Sequence, residues 1–266
     1  MNTEPHPLDV VSPARIAQLV EDVAVKKVNL GFVQVFALAV LAGAFIGLGA
    51  AFFTVTITGS ELGFGPTRLL GGLAFSLGLI LVIIGGAELF TGNSLIVLAR
   101  AEGEISTAQL LRNWGVVYLG NLVGGVGTAV LVHFTGLLAA SEVGSIAATI
   151  AEGKMSLSAS EAFFRGILCN VLVCLAVWMC FAAHTVSGKV AVIVFPITAF
   201  VVLGFEHSVA NMYMIPVGIL SGAAFDLEGL LRNLVFVTAG NVVGGGVLVA
   251  LVYWLIYLRP VGTRQG

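Results

Sequence analysis

The stretch Leu111-Arg-Asn-Trp-Gly-Val-Val-Tyr-Leu-Gly-Asn-Leu-Val-Gly-Gly125 returns at 231–245 as LRNLVFVTAGNVVGG, with nine of fifteen positions identical at an offset of 120. Each copy follows an apolar run that polar residues interrupt, Glu88-Leu-Phe-Thr-Gly-Asn93 before the first and Glu206-His-Ser-Val-Ala-Asn211 before the second. Glu and Asn stand five apart in both. A duplicated apolar unit that contains an interrupted helix is the pattern of a transport pathway built at a repeat interface.

Composition agrees with that reading. Of 266 residues 58% are hydrophobic and 10% are charged, and the mean hydropathy is +1.06. A soluble domain carries about 25% charged residues. The surface must therefore face lipid, which makes this a polytopic membrane protein. A net charge of −2 gives no sign of a nucleic-acid partner. Cys169, Cys174 and Cys180 share one apolar segment, so no disulfide is expected. The first thirty residues lack an apolar core of the secretory type, so no cleavable signal peptide is expected.

Hydropathy predicts six spans, near 30–56, 69–98, 110–135, 161–183, 189–220 and 229–257. Residues 1–29 form an N-terminal segment, 30–257 the membrane domain and 258–266 a tail. Ser12-Pro13 reads as an N-cap followed by Pro at N1. Ile16, Leu19, Val20 and Val23 then give a short amphipathic helix at the membrane surface, either an anchor or a gate beneath a pore. With both termini inside, eight Lys and Arg (Arg15, Lys26, Lys27, Arg100, Arg112, Lys189, Arg259, Arg264) fall on the inner side. Four (Arg68, Lys154, Arg165, Arg232) fall outside. The excess favours cytoplasmic termini and a multi-pass protein of the inner membrane. Three spans separate equivalent positions of the repeat, about 30–135 and 161–257, so the second copy must be inverted. The expected fold is all-α, six helices in a 3+3 inverted repeat with helices 2 and 5 broken.

An ionisable residue deep in a span suggests function by default. For Glu88 and Glu206 the structural reading is preferred, each carboxylate holding the backbone N–H groups of a break, and Asn93 and Asn211 are read likewise. His207 is read as functional, because it titrates near neutral pH and has no counterpart in the other break. Gly43/Gly47, Gly120/Gly124 and Gly240/Gly244 are small-xxx-small pairs for close helix packing. His6, His133 and His184 are scattered without an i, i+4 ligand pair, so neither a metal site nor a cofactor is expected. No nucleophile motif or Walker A pattern occurs, which argues against an enzyme and against ATP-driven transport.

At these residues the chain resembles the formate/nitrite transporter family. The stretches are LLGGLAFSLGLILV (69–82), AELFTGN (87–93), RNWGVVYLGN (112–121), ILCNVLVCLAVWM (167–179), GFEHSVANM (204–212) and GNVVGGGV (240–247). The resemblance implies an aquaporin-like protomer, a homopentamer and one pore per protomer. It implies a constriction of Phe75 and Phe200 with Val173 nearby, and a second of Leu79, Leu89 and Phe90 on the cytoplasmic side. It makes Thr91 a gate or substrate contact, Asn170 and His207 the polar pair between the constrictions, and Lys154 a vestibule lysine in the loop between spans 3 and 4. By itself Lys154 reads as a solvated loop residue, and Phe75, Leu79 and Phe200 read as ordinary core.

The function implied is passage of a small monovalent anion of a weak acid, formate first, with proton coupling at His207. Nitrite and hydrosulfide are the alternatives within the family. A membrane-embedded enzyme, a non-transporting scaffold and a neutral-solute channel are the readings from other classes.

Overall fold

The computed structural model describes residues 11–139 and 142–259. The expected tail beyond Arg259, and residues 1–10 of the expected N-terminal segment, lie outside the described residues.

Helix α1 (Pro13–Val28) begins where Ser12 Oγ accepts the Arg15 N–H at 3.4 Å and Pro13 opens the first turn. Its buried residues Ile16, Ala17, Val20, Ala24 and Val28 form one stripe, set by the 3.6-residue period. The stripe packs on Leu95, Leu98, Trp178 and Val249 and, further along, on Ile96, Ala99 and Leu110.

Four long apolar helices follow the pattern read from hydropathy: α2 (Phe32–Ile57), α3 (Phe64–Gly85), α5 (Thr107–Phe134) and α7 (Ala159–Ala182). Reciprocal capping boxes start α5 (Ser106 with Gln109) and α7 (Ser158 with Glu161), satisfying donors that an uncapped terminus would leave bare. A fifth apolar stretch, Leu227–Tyr257, combines α10 (Leu227–Val242), a π-helical turn (Val243–Leu251) and α11 (Val252–Tyr257). Each of the five is long and apolar enough to cross a bilayer. Helices α8 (Val186–Val202, 17 residues) and α9 (Ser208–Leu220, 13 residues) are shorter. At 1.5 Å per residue neither spans a ~30 Å hydrocarbon core alone.

Residues 86–91 between α3 and the 3₁₀ turn Gly92–Ile96 are not helical, nor are 203–207 between α8 and α9. Helix α4 (Val97–Glu102) continues the 3₁₀ turn. Both interruptions open on a left-handed glycine, Gly86 at φ 77° and Gly204 at φ 70°. A side chain there would cost about 1–2 kcal/mol.

Between 135 and 158, where a loop was expected, lies α6 (Glu142–Met155). Val143, Ala147, Ala151 and Met155 are buried at every fourth position, and α6 packs on α9. The helix is missed from hydropathy because small alanines carry its stripe and its 14 residues are too few for a span. Lys154 therefore sits in a helix's last turn, not in a loop.

Helix α2 packs on α3 and α5, and α7 packs on α8 and α10. Glycines let backbones meet: a Cβ on Gly124 would strike the Val40 carbonyl oxygen, and one on Gly240 the Phe163 carbonyl oxygen. Gly124→Ala is expected to destabilise the protein by ~1–3 kcal/mol, because it overpacks a backbone contact that has no rotamer to yield. Gly127→Ala on the same helix meets nothing within 4 Å and should be near neutral. Thermal unfolding of both variants in detergent checks this.

Candidate functional site: the two interruptions and the cavities between them

Each interruption is held by a polar cluster, and the two clusters correspond bond for bond over most of their extent. Lys27 Nζ lies 3.0 Å from Glu88 Oε1 and donates to Asn93 Oδ1 at 2.8 Å. Asn93 Nδ2 donates to Glu88 Oε2 (2.7 Å) and to Asn113 Oδ1 (3.0 Å). In the second cluster Lys154 Nζ lies 2.9 Å from Glu206 Oε1. Asn211 Nδ2 donates to Glu206 Oε2 and to Asn233 Oδ1, both at 2.7 Å. Buried carboxylates persist only when paired and hydrogen-bonded, and both glutamates are so held, by lysine and asparagine side chains and not by the backbone N–H groups expected.

A second asparagine clamps each interruption from the repeated sequence. Asn121 Nδ2 donates to the carbonyls of Ala39 (2.7 Å) and Glu88 (2.9 Å), while its Oδ1 accepts the Phe90 N–H at 2.9 Å. Asn241 Nδ2 donates to the carbonyls of Gly166 (2.8 Å) and Glu206 (3.0 Å), while its Oδ1 accepts the Ser208 N–H at 2.9 Å. Non-helical backbone inside a membrane protein needs its polar groups satisfied from within, and these amides do it.

The two interruptions touch through one bond, Thr91 Oγ1 to His207 Nε2 at 2.9 Å, fully buried. His207 is also the N-cap of α9, its Nδ1 accepting the Ala210 N–H at 3.0 Å. An N–H can only donate, so Nδ1 carries no proton. The neutral ring is therefore protonated on Nε2 and donates to Thr91 Oγ1. Forming an imidazolium would break the cap. Asn170 does not bond His207 directly: its Nδ2 donates to Thr91 O (3.2 Å), Ser94 Oγ (3.1 Å) and Asn241 O (2.6 Å). The two meet through Thr91. A Cβ on Gly245 would come 2.5 Å from Asn170 Nδ2, so glycine there makes room for the amide.

A cavity of about 360 Å³ opens on one side of this centre, lined by Lys154, Glu206, His207, Phe75 and Phe200 among others. Phe75 and Phe200 meet edge to face with centroids 5.5 Å apart, and Phe200 lies nearly parallel to the His207 ring at 6.0 Å. On the other side a cavity of about 50 Å³ is lined by Leu79, Leu89, Lys27 and Asn93 under α1. A further one of about 300 Å³ is lined by Lys27, Glu88 and Lys189. Val173 is buried in the core. Phe90 packs edge-on against Tyr118 (4.9 Å) and Trp114 (6.1 Å) and lines none of these three cavities.

Sequence reasoning missed Lys27, Asn113, Asn121, Asn233, Asn241 and Gly245 as members of the site. The signal was present: four of the five polar residues lie in the duplicated stretch, and Lys27 corresponds to Lys154. Among the described residues no group of three or more His, Cys, Asp or Glu is placed to hold a metal ion.

The sequence pattern of the family described as "Formate/nitrite transporter" matches residues 14–255. "Formate channel FocA" of Escherichia coli (strain K12) is 40% identical over 96% of this chain and 97% of its own length. A solved structure titled "FNT family ion channel" superposes with a TM-score of 0.85 at 33% identity, covering 91% of this chain and 98% of that one. Another, "Pentameric formate channel with formate bound", gives 0.79 at 43% identity, over 86% and 98%.

Proposed function

Since this chain belongs to the formate/nitrite transporter family, we propose that it carries formate and similar small monovalent anions across a membrane. The assembly is a homopentamer with one pathway per protomer, and the likeness to a pentameric, formate-bound channel at 43% identity supports this. The relatives are named as channels, in keeping with transport and not catalysis.

The protomer has six spans, the second made of α3 with the 3₁₀ turn and α4, the fifth of α8 with α9. The shortness of α8 and α9 supports pairing them. Equivalent clusters three spans apart support an inverted second unit. The units begin at α1 and α6 and not at 30 and 161, because Lys27 and Lys154 occupy corresponding places. Termini on the cytoplasmic side of the inner membrane accord with the Lys and Arg count.

The observation that carries the mechanism is the buried Thr91–His207 bond between the cavities. Phe75 with Phe200 on one side, and Leu79 with Leu89 on the other, present apolar walls that a bare anion crosses at a cost of several kcal/mol. Desolvation raises an acid's pKa and favours its neutral form. A proton entering from the vestibule converts the His207 ring to its cation and opens the Nδ1 cap bond. The cation passes a proton to the anion, which leaves as the neutral acid, and the neutral ring closes the cap again. Asn170 Oδ1, buried and without a partner, is an acceptor for the acid O–H.

Formate uptake into proteoliposomes at pH 7.5 and 5.5, beside nitrite and hydrosulfide, tests this. Formate flux should rise at the lower pH. His207→Asn supplies another good N-cap acceptor but no titrating ring, so it should fold, carry less formate at pH 5.5 and lose the pH response. His207→Phe loses the cap as well and should lose flux. An unchanged pH response in His207→Asn defeats proton coupling at this ring. Nitrite or hydrosulfide flux without formate moves the substrate within the family, and no flux defeats transport.

A further inference from the structure

The 360 Å³ vestibule is lined by two cations besides Lys154: Arg68 from α3 and Arg165 from α7. Lys154 is poorly placed to attract an anion. Its ammonium is committed to Glu206 at 2.9 Å, with 14% and 6% of the two side chains exposed. Seen from the vestibule the pair is a dipole, and a dipole's field falls off faster than that of a net charge.

Arg68 has no carboxylate partner among the described residues. Its Nη1 donates to the Val201 carbonyl at 3.3 Å, and its guanidinium rests 5.2 Å from the centroid of the Phe64 ring. One of five N–H donors is thus engaged. The Val201 contact sets the guanidinium at the end of α8, beside the left-handed Gly204 that opens the interruption. Arg165 has Glu161 at 3.8 Å, but that carboxylate is 53% exposed and also accepts from Ser158 N and Oγ. A pair so exposed neutralises little. His207 is neutral through its cap bond. The vestibule's net charge is therefore positive and comes from the arginines.

We infer that Arg68, assisted by Arg165, is the anion-collecting site of this mouth, with Lys154 serving as the counter-ion of Glu206. The ligand is a small monovalent oxyanion. A planar guanidinium with free N–H groups matches two carboxylate oxygens. The inference rests on the anion-pathway reading.

The test is formate uptake by proteoliposomes at pH 7.5, at ionic strengths of about 10 and 150 mM set with sodium sulfate, where the screening lengths are ~30 and ~8 Å. In Arg68→Gln the half-saturating formate concentration should rise ~3- to 10-fold at low ionic strength, with maximal rate kept and the difference closing at high salt. Arg68→Lys keeps the charge and loses the two-pronged contact, so it should fall between wild type and Arg68→Gln at low ionic strength. Arg165→Gln should show a smaller shift, and the double variant a larger one. An unchanged half-saturation in the double variant overturns the inference while leaving the pathway intact. So does a fall in maximal rate without salt dependence, which would mark Arg68 as a brace for α8. Should Arg68→Gln fail to fold, Arg165→Gln and the wild-type salt dependence decide: salt-insensitive uptake in both overturns it. Wild-type protein that moves no anion overturns the pathway reading and this inference together.

Discussion

Asn241→Leu is expected to lower stability by ~3–6 kcal/mol, because one change removes three buried hydrogen bonds and strands two of their partners. The leucine fills nearly the same volume, so packing is conserved and the loss is polar. The Ser208 N–H and the Glu206 carbonyl, which border the second interruption, lose their partner, and the Gly166 carbonyl inside α7 loses its second bond. Transport should vanish with the fold around His207, which is next in the chain to both Glu206 and Ser208. Asn121→Leu removes the same three kinds of bond from the first interruption and should cost a similar amount. Thermal unfolding in detergent, read with the oligomer's elution volume, measures both. A variant melting within about 1 kcal/mol of wild type would mean that water or a neighbouring group replaces the amide without loss, contrary to the burial seen here.

Glu206→Leu is expected to cost ~3–5 kcal/mol, since it leaves Lys154 buried without its counter-ion. It also removes one of the two acceptors of Asn211 Nδ2. The matching change Lys154→Met should repair part of the damage, because an apolar pair of similar volume restores a neutral interior. The double variant should therefore be more stable than Glu206→Leu alone. Strict additivity in the double-mutant cycle would show the two side chains to be energetically independent, and the 2.9 Å contact would then carry no weight.

The five long apolar helices were legible because lipid demands long apolar runs, and the polar clusters because glutamate, glycine and asparagine are conspicuous inside such runs. Ser12-Pro13 marked the start of α1 to the residue. What stayed hidden depends on partners that only folding brings together. Asn121 and Asn241 stand in plain view in the duplicated stretch, but their targets are backbone carbonyls from other helices. Lys27 counted as one basic residue among several until Glu88 lay beside it. Helix α6 has the right spacing but is built on alanines, which hydropathy weighs lightly. The direction of Phe90 is set by non-helical backbone, where no periodicity applies, so its packing against Tyr118 and Trp114 could not be read from the chain.

Every member of the first cluster lies between residues 27 and 121, and every member of the second between 154 and 241. Only a few side-chain bonds cross from one to the other, among them Thr91 to His207, Asn170 to Thr91 and Ser94, and Tyr118 to Thr238. For a chain made from its N-terminus, the first cluster has all its parts before the ribosome has reached the second. The leading half can fold around its own buried charge pair, and the trailing half then supplies the histidine that joins them.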